Sequence, residues 1–189
     1  VAVVTGDMGV VTTTATTARA PATKPRRNRA ARPAVRVVGQ LRSPVQDAAG
    51  TDLGGTAVLI AGLTASDTSR ADIVTIRGTR EGVPGSMPIA IHDTAAVALG
   101  GAVYVFGGGD GSAQHAEIWR VDAGSGKVAR AGALPSPSSD QSAAAIGDTA
   151  YIVGGYDGSS WLDTIVAWRP GGQGRVVAHL PIGLRYAAV

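Results

Sequence analysis

The amino-acid sequence predicts an all-β fold of repeats arranged around an axis, and three observations carry that prediction. One segment recurs: Leu41-Arg-Ser-Pro-Val-Gln-Asp47, Met87-Pro-Ile-Ala-Ile-His-Asp93, Leu134-Pro-Ser-Pro-Ser-Ser-Asp140 and Leu180-Pro-Ile-Gly-Leu-Arg-Tyr186 are copies spaced 46, 47 and 46 residues apart. A period of this length, filled with short strands, marks units that bury their apolar faces only against their neighbours. Within each period the apolar runs are short and stop at turn signals such as Gly107-Gly108 and Gly154-Gly155. The run after a copy is made of small residues, as in Ser142-Ala-Ala-Ala-Ile146. Strands that converge on an axis leave no room for larger ones.

Taken in chain order, residues 1–34 alternate Thr/Ala stretches with a Pro/Arg segment, Pro21-Ala-Thr-Lys-Pro-Arg-Arg-Asn-Arg-Ala-Ala-Arg-Pro33. No periodic apolar face is available there to offset the entropy of ordering, so a disordered linker or stalk is expected. Arg36-Val-Val-Gly-Gln-Leu41 aligns with Lys127–Leu134 and Arg175–Leu180 and reads as an outermost strand. Val35–Gly39 is thus expected to be a closing strand that precedes the first full repeat. That repeat, residues 42–86, is the loosest copy, with Leu53-Gly54-Gly55, Ala57–Ile60, Ala61-Gly62 and Ile73–Ile76. Its Ala61 stands where the other copies have Gly, which questions the same turn geometry there.

The second repeat, residues 87–133, gives strands at Ala95–Leu99, Val103–Phe106, Ile118–Val121 and Val128–Arg130, with turns at Gly100-Gly101, Gly107-Gly108 and Gly124-Ser-Gly126. The third, residues 134–179, gives Ser142–Ile146, Thr149–Val153, Thr164–Trp168 and Arg175–His179. Gly147-Asp148 is expected to supply positive-φ positions for a tight hairpin. Residues 180–189 begin a further repeat, with Arg185–Val189 as its first strand.

Composition bounds the chemistry. The 189 residues are 44% hydrophobic but only 4% aromatic, so Val, Ile, Leu and Ala must fill the core. Residues 1–42 hold eight basic groups against Asp7, while the remainder holds nine basic and 13 acidic groups. The repeat body is therefore mildly acidic, which argues against a nucleic-acid partner. The absence of cysteine excludes disulfides and thiolate chemistry. No apolar run reaches transmembrane length. The chain begins without Met, which fits a removed targeting segment, a fragment or an alternative start. Fifteen Arg against two Lys resembles coding from a GC-rich bacterial genome.

An apolar strand ended by Gly-Gly, then a polar loop and a later aromatic strand, resembles the kelch repeat of β-propellers, including the central domain of galactose-oxidase-like proteins. Val105-Phe-Gly-Gly-Gly-Asp-Gly111 and Ile152-Val-Gly-Gly-Tyr-Asp-Gly158 carry the resemblance. It implies a kelch-type arc over residues 35–189: three full four-stranded blades, a closing strand before them and the first strand of a fourth after them. Three blades do not close a ring. A partial propeller is therefore expected, with self-association through its open faces and two copies completing six blades as one way to close it.

Propellers bind ligands at the mouth of the central channel. The alignment places Asp47, Asp93, Asp140 and Tyr186 at one equivalent position there, preceded by Gln46, His92, Ser139 and Arg185. Convergent carboxylates can hold a hard cation or bond a sugar. Equally, each Asp can serve its own repeat by capping a strand. Asp47, His92, Asp93, Asp140, Arg185 and Tyr186 are the candidate ligand-binding residues, and no catalytic residue, metal site or cofactor is assigned. Asp110 and Asp157 read as turn formers. Trp119 and Trp168 read as inter-blade core, whereas Trp161, in a loop, suits either a surface or a sugar platform. The histidines His92, His115 and His179 show no metal-ligand spacing.

The leading expectation is a non-catalytic binding or interaction module for a protein or glycan, tethered at the cell envelope of a bacterium, with a cytoplasmic location left open. A fragment of a sugar-active enzyme resembling sialic-acid epimerases and an extracellular sensor head are the alternatives. The resemblance to galactose oxidase does not extend to a copper-radical centre, which needs a Cys that this chain lacks.

Overall fold

The computed structural model describes residues 36–189, so the linker expected over residues 1–34 lies outside the described residues. Twelve strands follow in order: β1 (Ala49–Asp52), β2 (Ala57–Ile60), β3 (Arg70–Arg77), β4 (Arg80–Ile91), β5 (Ala95–Leu99), β6 (Ala102–Phe106), β7 (Glu117–Val121), β8 (Val128–Ala133), β9 (Ser142–Ile146), β10 (Thr149–Val153), β11 (Thr164–Trp168) and β12 (Arg175–His179). They form three antiparallel four-stranded sheets, β1–β4, β5–β8 and β9–β12, each a simple meander.

The turns explain the meanders. Gly100 and Gly101 take φ of 58° and 79° and close the β5–β6 hairpin in two residues, the primed geometry that matches strand twist. At β9–β10 only Gly147 has positive φ, at 62°. Asp148 does not share that role and instead accepts a bond from Thr149 Oγ1 at 3.0 Å. The doubt over Ala61 is resolved: its φ is 61°, matching 55° at Gly107 and 65° at Gly154. The turn geometry is kept despite the Cβ.

Alternation divides the core in two. Val58, Ile60, Ile73 and Met87 of the first sheet pack with Val103, Val105 and Val121 of the second. Val97, Tyr104, Phe106 and Ile118, on the second sheet's other face, pack with Ala150, Ile152, Val166 and Trp168 of the third. The second sheet is thus buried on both faces, and β6 is buried along its whole length. The innermost strands β1, β5 and β9 lie side by side. Ala49, Gly50, Ala95, Ala96, Ser142 and Ala143 line a groove of about 320 Å³ between them, as small residues at an axis require.

Besides Asp148, four strand expectations change. β1 and β4 lie outside the segments read in the first repeat, and β4 runs through the 86/87 repeat boundary to Ile91. It tolerates Pro84 and Pro88 because it is an edge strand. Residues 36–40 form no closing strand, and Val37 is 84% exposed: an outermost strand needs a third strand to pair with, and none lies beside it. Residues 185–189 form no strand either. They still lie along β9, with Ser142 Oγ donating to the Ala187 carbonyl; with no second strand beside them, no ladder forms. Among the described residues no helix is long and apolar enough to cross a membrane.

Candidate functional site

The loops that enter the inner strands carry the recurring acids, and the backbone explains why acids recur. Asp47, Asp93, Asp140 and Tyr186 all adopt left-handed conformations, with φ of 54°, 51°, 59° and 52°. Asp is among the few residues with a side chain that accept this region readily. Each N–H then donates to the previous copy's carbonyl: Asp93 to Asp47 at 3.1 Å, Asp140 to Asp93 at 2.8 Å and Tyr186 to Asp140 at 2.9 Å. The residues before them form matching bridges, Gln46 with Leu63, His92 with Gly109 and Ser139 with Tyr156. The repeat therefore accounts for the position of each Asp, as rungs of a ladder that joins the three sheets.

The same ladder stacks the side chains into a cluster. Asp140 is the most enclosed, its side chain 1% exposed. Its Oδ2 accepts from Arg185 Nη2 at 2.8 Å and from Ser139 Oγ at 3.0 Å. The Arg185 guanidinium lies 4.6 Å from the ring centre of Tyr156 and 5.2 Å from that of Tyr186, a cation–π arrangement that holds it in place. His92 Nδ1 pairs with Ser69 Oγ at 2.9 Å, and its Nε2 stands 3.8 Å from Asp93 Oδ2, too far for a hydrogen bond.

Burial, then the Asp140 and Asp47 carboxylates, push the Asp93 carboxyl up to about 7, against the opposing pull of Arg185. The Tyr186 phenol is raised to about 12 by burial and by the Asp140 carboxylate. Its residue as a whole is 62% exposed, but the hydroxyl end turns toward Asp140 and Arg185, and it is the hydroxyl that titrates. Asp140 Oδ1, Gln141 Oε1 and Arg185 Nε are buried without a partner among the described residues.

The candidates are thus brought together unequally. Asp93, Asp140, Arg185 and Tyr186 form the cluster, His92 stands at its edge, and Asp47 acts on it through its charge. Among the described residues no three His, Cys, Asp or Glu side chains are placed to hold a metal ion. Tyr156, Gln141 and Ser69 also belong to the site. The alignment of Tyr156 with Gly109 was the signal for the first; nothing local marks the other two.

Outside the cluster, Asp110 and Asp157 are turn formers. Asp110 Oδ1 accepts from Ser112 N at 2.7 Å and Ala113 N at 2.9 Å, and Asp157 Oδ1 accepts from Ser159 N at 2.8 Å and Ser160 N at 2.7 Å. The Ser112 hydroxyl also donates to Asp110 Oδ1 at 2.7 Å; with that bond foremost at Asp110 and the Ser160 N–H foremost at Asp157, both carboxyls are held below the usual range. Trp168 is buried, 4.9 Å from Tyr104 and 5.7 Å from Phe106 between ring centres. Trp119 packs on the other core cluster, while Trp161 is exposed. The three tryptophans therefore make no common platform.

No family model and no curated protein matches the chain. Among solved structures it is similar to one described as "Structure of YjhT", with a TM-score of 0.65 and 13% identity over 75% of this chain. At that identity the likeness shows the fold alone, a propeller-like β architecture. The match spans 55% of that chain.

Proposed function

We propose that this chain is a kelch-type propeller arc of three blades that works as a non-catalytic binding module, with its ligand site at the loop end of the inner strands. One observation carries the reading: a buried, charge-paired cluster beside an open groove retains polar atoms without partners, Asp140 Oδ1, Gln141 Oε1 and Arg185 Nε. A concave site with a few convergent polar groups is the usual form of a ligand pocket. The unpartnered atoms include both acceptors and a donor, which suits hydroxyl- or amide-bearing ligands, either a glycan or a peptide segment. Tethering at a bacterial envelope is part of the proposal and rests on the composition of residues 1–34.

A glycan array and an extended-peptide library, read with the purified chain, test this directly. Binding that is lost in His92→Ala and Arg185→Ala variants of unchanged fold supports the site; binding that survives both places it elsewhere. A second reading, a sugar-active enzyme resembling sialic-acid epimerases, is favoured by one observation: Asp93 sits near neutrality, where an acid/base group is most effective. Sugar turnover that disappears in Asp93→Asn would support that reading over the first.

A further inference from the structure

We infer that Asp93 and Asp140 share one proton, and that this proton ties the second sheet to the third at the loop end of β5 and β9. The inference bears on the binding proposal at one atom: the shared proton occupies Asp140 Oδ1 and leaves Gln141 Oε1 and Arg185 Nε as the unpartnered groups for a ligand. Its geometry starts from the ladder. Asp140 N donates to Asp93 O at 2.8 Å, and both residues are left-handed, so successive rungs present their carboxyls to one another. The two carboxyls come within hydrogen-bonding reach.

Asp140 supplies a second, independent observation. Its side chain is almost wholly enclosed, and its Oδ2 is satisfied twice, by Arg185 and Ser139. Its Oδ1 has no donor among the described residues. A buried carboxylate oxygen left without a donor is costly. If both carboxyls were ionised, nothing on Asp93 could donate, and two like charges would face each other in a poorly solvated place. One proton removes both difficulties: the Asp93 O–H donates to Asp140 Oδ1, and Asp140 keeps the negative charge that Arg185 neutralises. On ionisation the proton passes to solvent and the bond is lost.

The groups facing Asp93 set the balance. Asp47, from the loop before β1, and Asp140, from the loop before β9, both oppose its charge, while Arg185, from the segment after β12, favours it. His92 lies 3.8 Å away with its Nδ1 committed to Ser69, and the Tyr186 phenol stays neutral. Burial adds to the two carboxylates. Together they outweigh Arg185, and Asp93 rises from 3.8 to about 7. A carboxyl raised by folding stabilises the fold fully below its unfolded value, and that stability is lost as pH rises through the folded value. The window therefore runs from about 4 to about 7.

Carboxyl-carbon NMR of the whole chain labelled at Asp, combined with thermal unfolding at pH 5 and pH 8, tests the pair. One Asp carbon, absent in Asp93→Asn, is expected to titrate near neutrality. Asp47→Asn should bring its midpoint down part of the way, and Asp140→Asn should return it toward the ordinary range. The wild-type unfolding midpoint should fall by about 5 °C from pH 5 to pH 8. Asp93→Asn should lose that fall and exceed the wild type at pH 8. An Asp93 carbon that titrates near 4, or an Asp93→Asn variant that falls as steeply as the wild type, overturns the inference. Should Asp140→Asn fail to fold, the wild-type spectra carry the test: a shared proton moves the Asp140 carbon in the same titration as the Asp93 carbon, and an Asp140 carbon that stays silent through it overturns the inference.

Discussion

Arg185 serves two roles at once, as a charge for Asp140 and as a plate between Tyr156 and Tyr186. Removing either partner of an enclosed ion pair leaves the other uncompensated. Asp140→Ala is therefore expected to cost about 2 kcal/mol, below the fully buried range because Arg185 reaches solvent; urea denaturation would read it. The tryptophans give a sharper contrast. Trp168→Ala empties a site between two sheets and should cost about 3–5 kcal/mol, whereas Trp161→Ala at an exposed loop should stay within about 0.5 kcal/mol. Similar losses for the two would refute the division between core and surface. Part of this scale was legible: the recurrence of Asp at one repeat position pointed to a role in the repeat, expected as a strand cap and observed as a left-handed backbone rung, and strand placement pointed to Trp168 in the core. The stacking of Arg185 on Tyr156 was not, because it joins the start of one repeat to a loop of the one before it through space alone.

At the level of elements, the strands of the third sheet were readable to their ends, because each is a short apolar run stopped by Gly or Pro turns. β4 was not. Arg80-Glu-Gly-Val-Pro-Gly-Ser-Met-Pro88 has the composition of a loop, yet an edge strand can lose N–H donors on its open side and accommodate bulges. Its register against β3 shifts twice. What fixes β4 is tertiary: Gly85 and Gly126 meet backbone to backbone, and a Cβ on Gly126 would stand 2.2 Å from the Pro84 carbonyl oxygen. Gly126 also has φ of 71°. Gly126→Ala is therefore expected to cost about 3 kcal/mol or more, from left-handed strain plus a clash with backbone that cannot swing aside. Gly101→Ala, at φ of 79° with open space around it, should lose only about 1 kcal/mol. Equal losses in the two, measured by chemical denaturation, would mean that the contact between β4 and the Gly124–Gly126 turn does not hold the first two sheets together.

Across the described residues, the outward faces of the first and third sheets have no sheet packed against them. The second sheet is covered on both sides, but the outward face of the third carries Ala144, Ile146, Tyr151 and Val177 toward solvent, with Ile146 69% exposed. Apolar faces of this kind promote association. Closure of six blades by two copies meets a steric objection. Tyr186 already occupies the rung that a partner's Asp47 would need, and Ala187–Val189 line the groove where a partner's β1 would lie. Association should therefore proceed through the part of this face away from the groove, from Ile146 at the end of β9 across β10–β12. Light scattering across a concentration series is expected to show reversible growth in mass, reduced in an Ile146→Lys, Val177→Lys variant whose unfolding midpoint is unchanged. A variant that associates as strongly as the wild type would move the contact to another surface. The first sheet's open face would be the next one to alter, at Leu59 and Val83, where residues 38–45 line cavities of about 150 and 220 Å³ against the sheet.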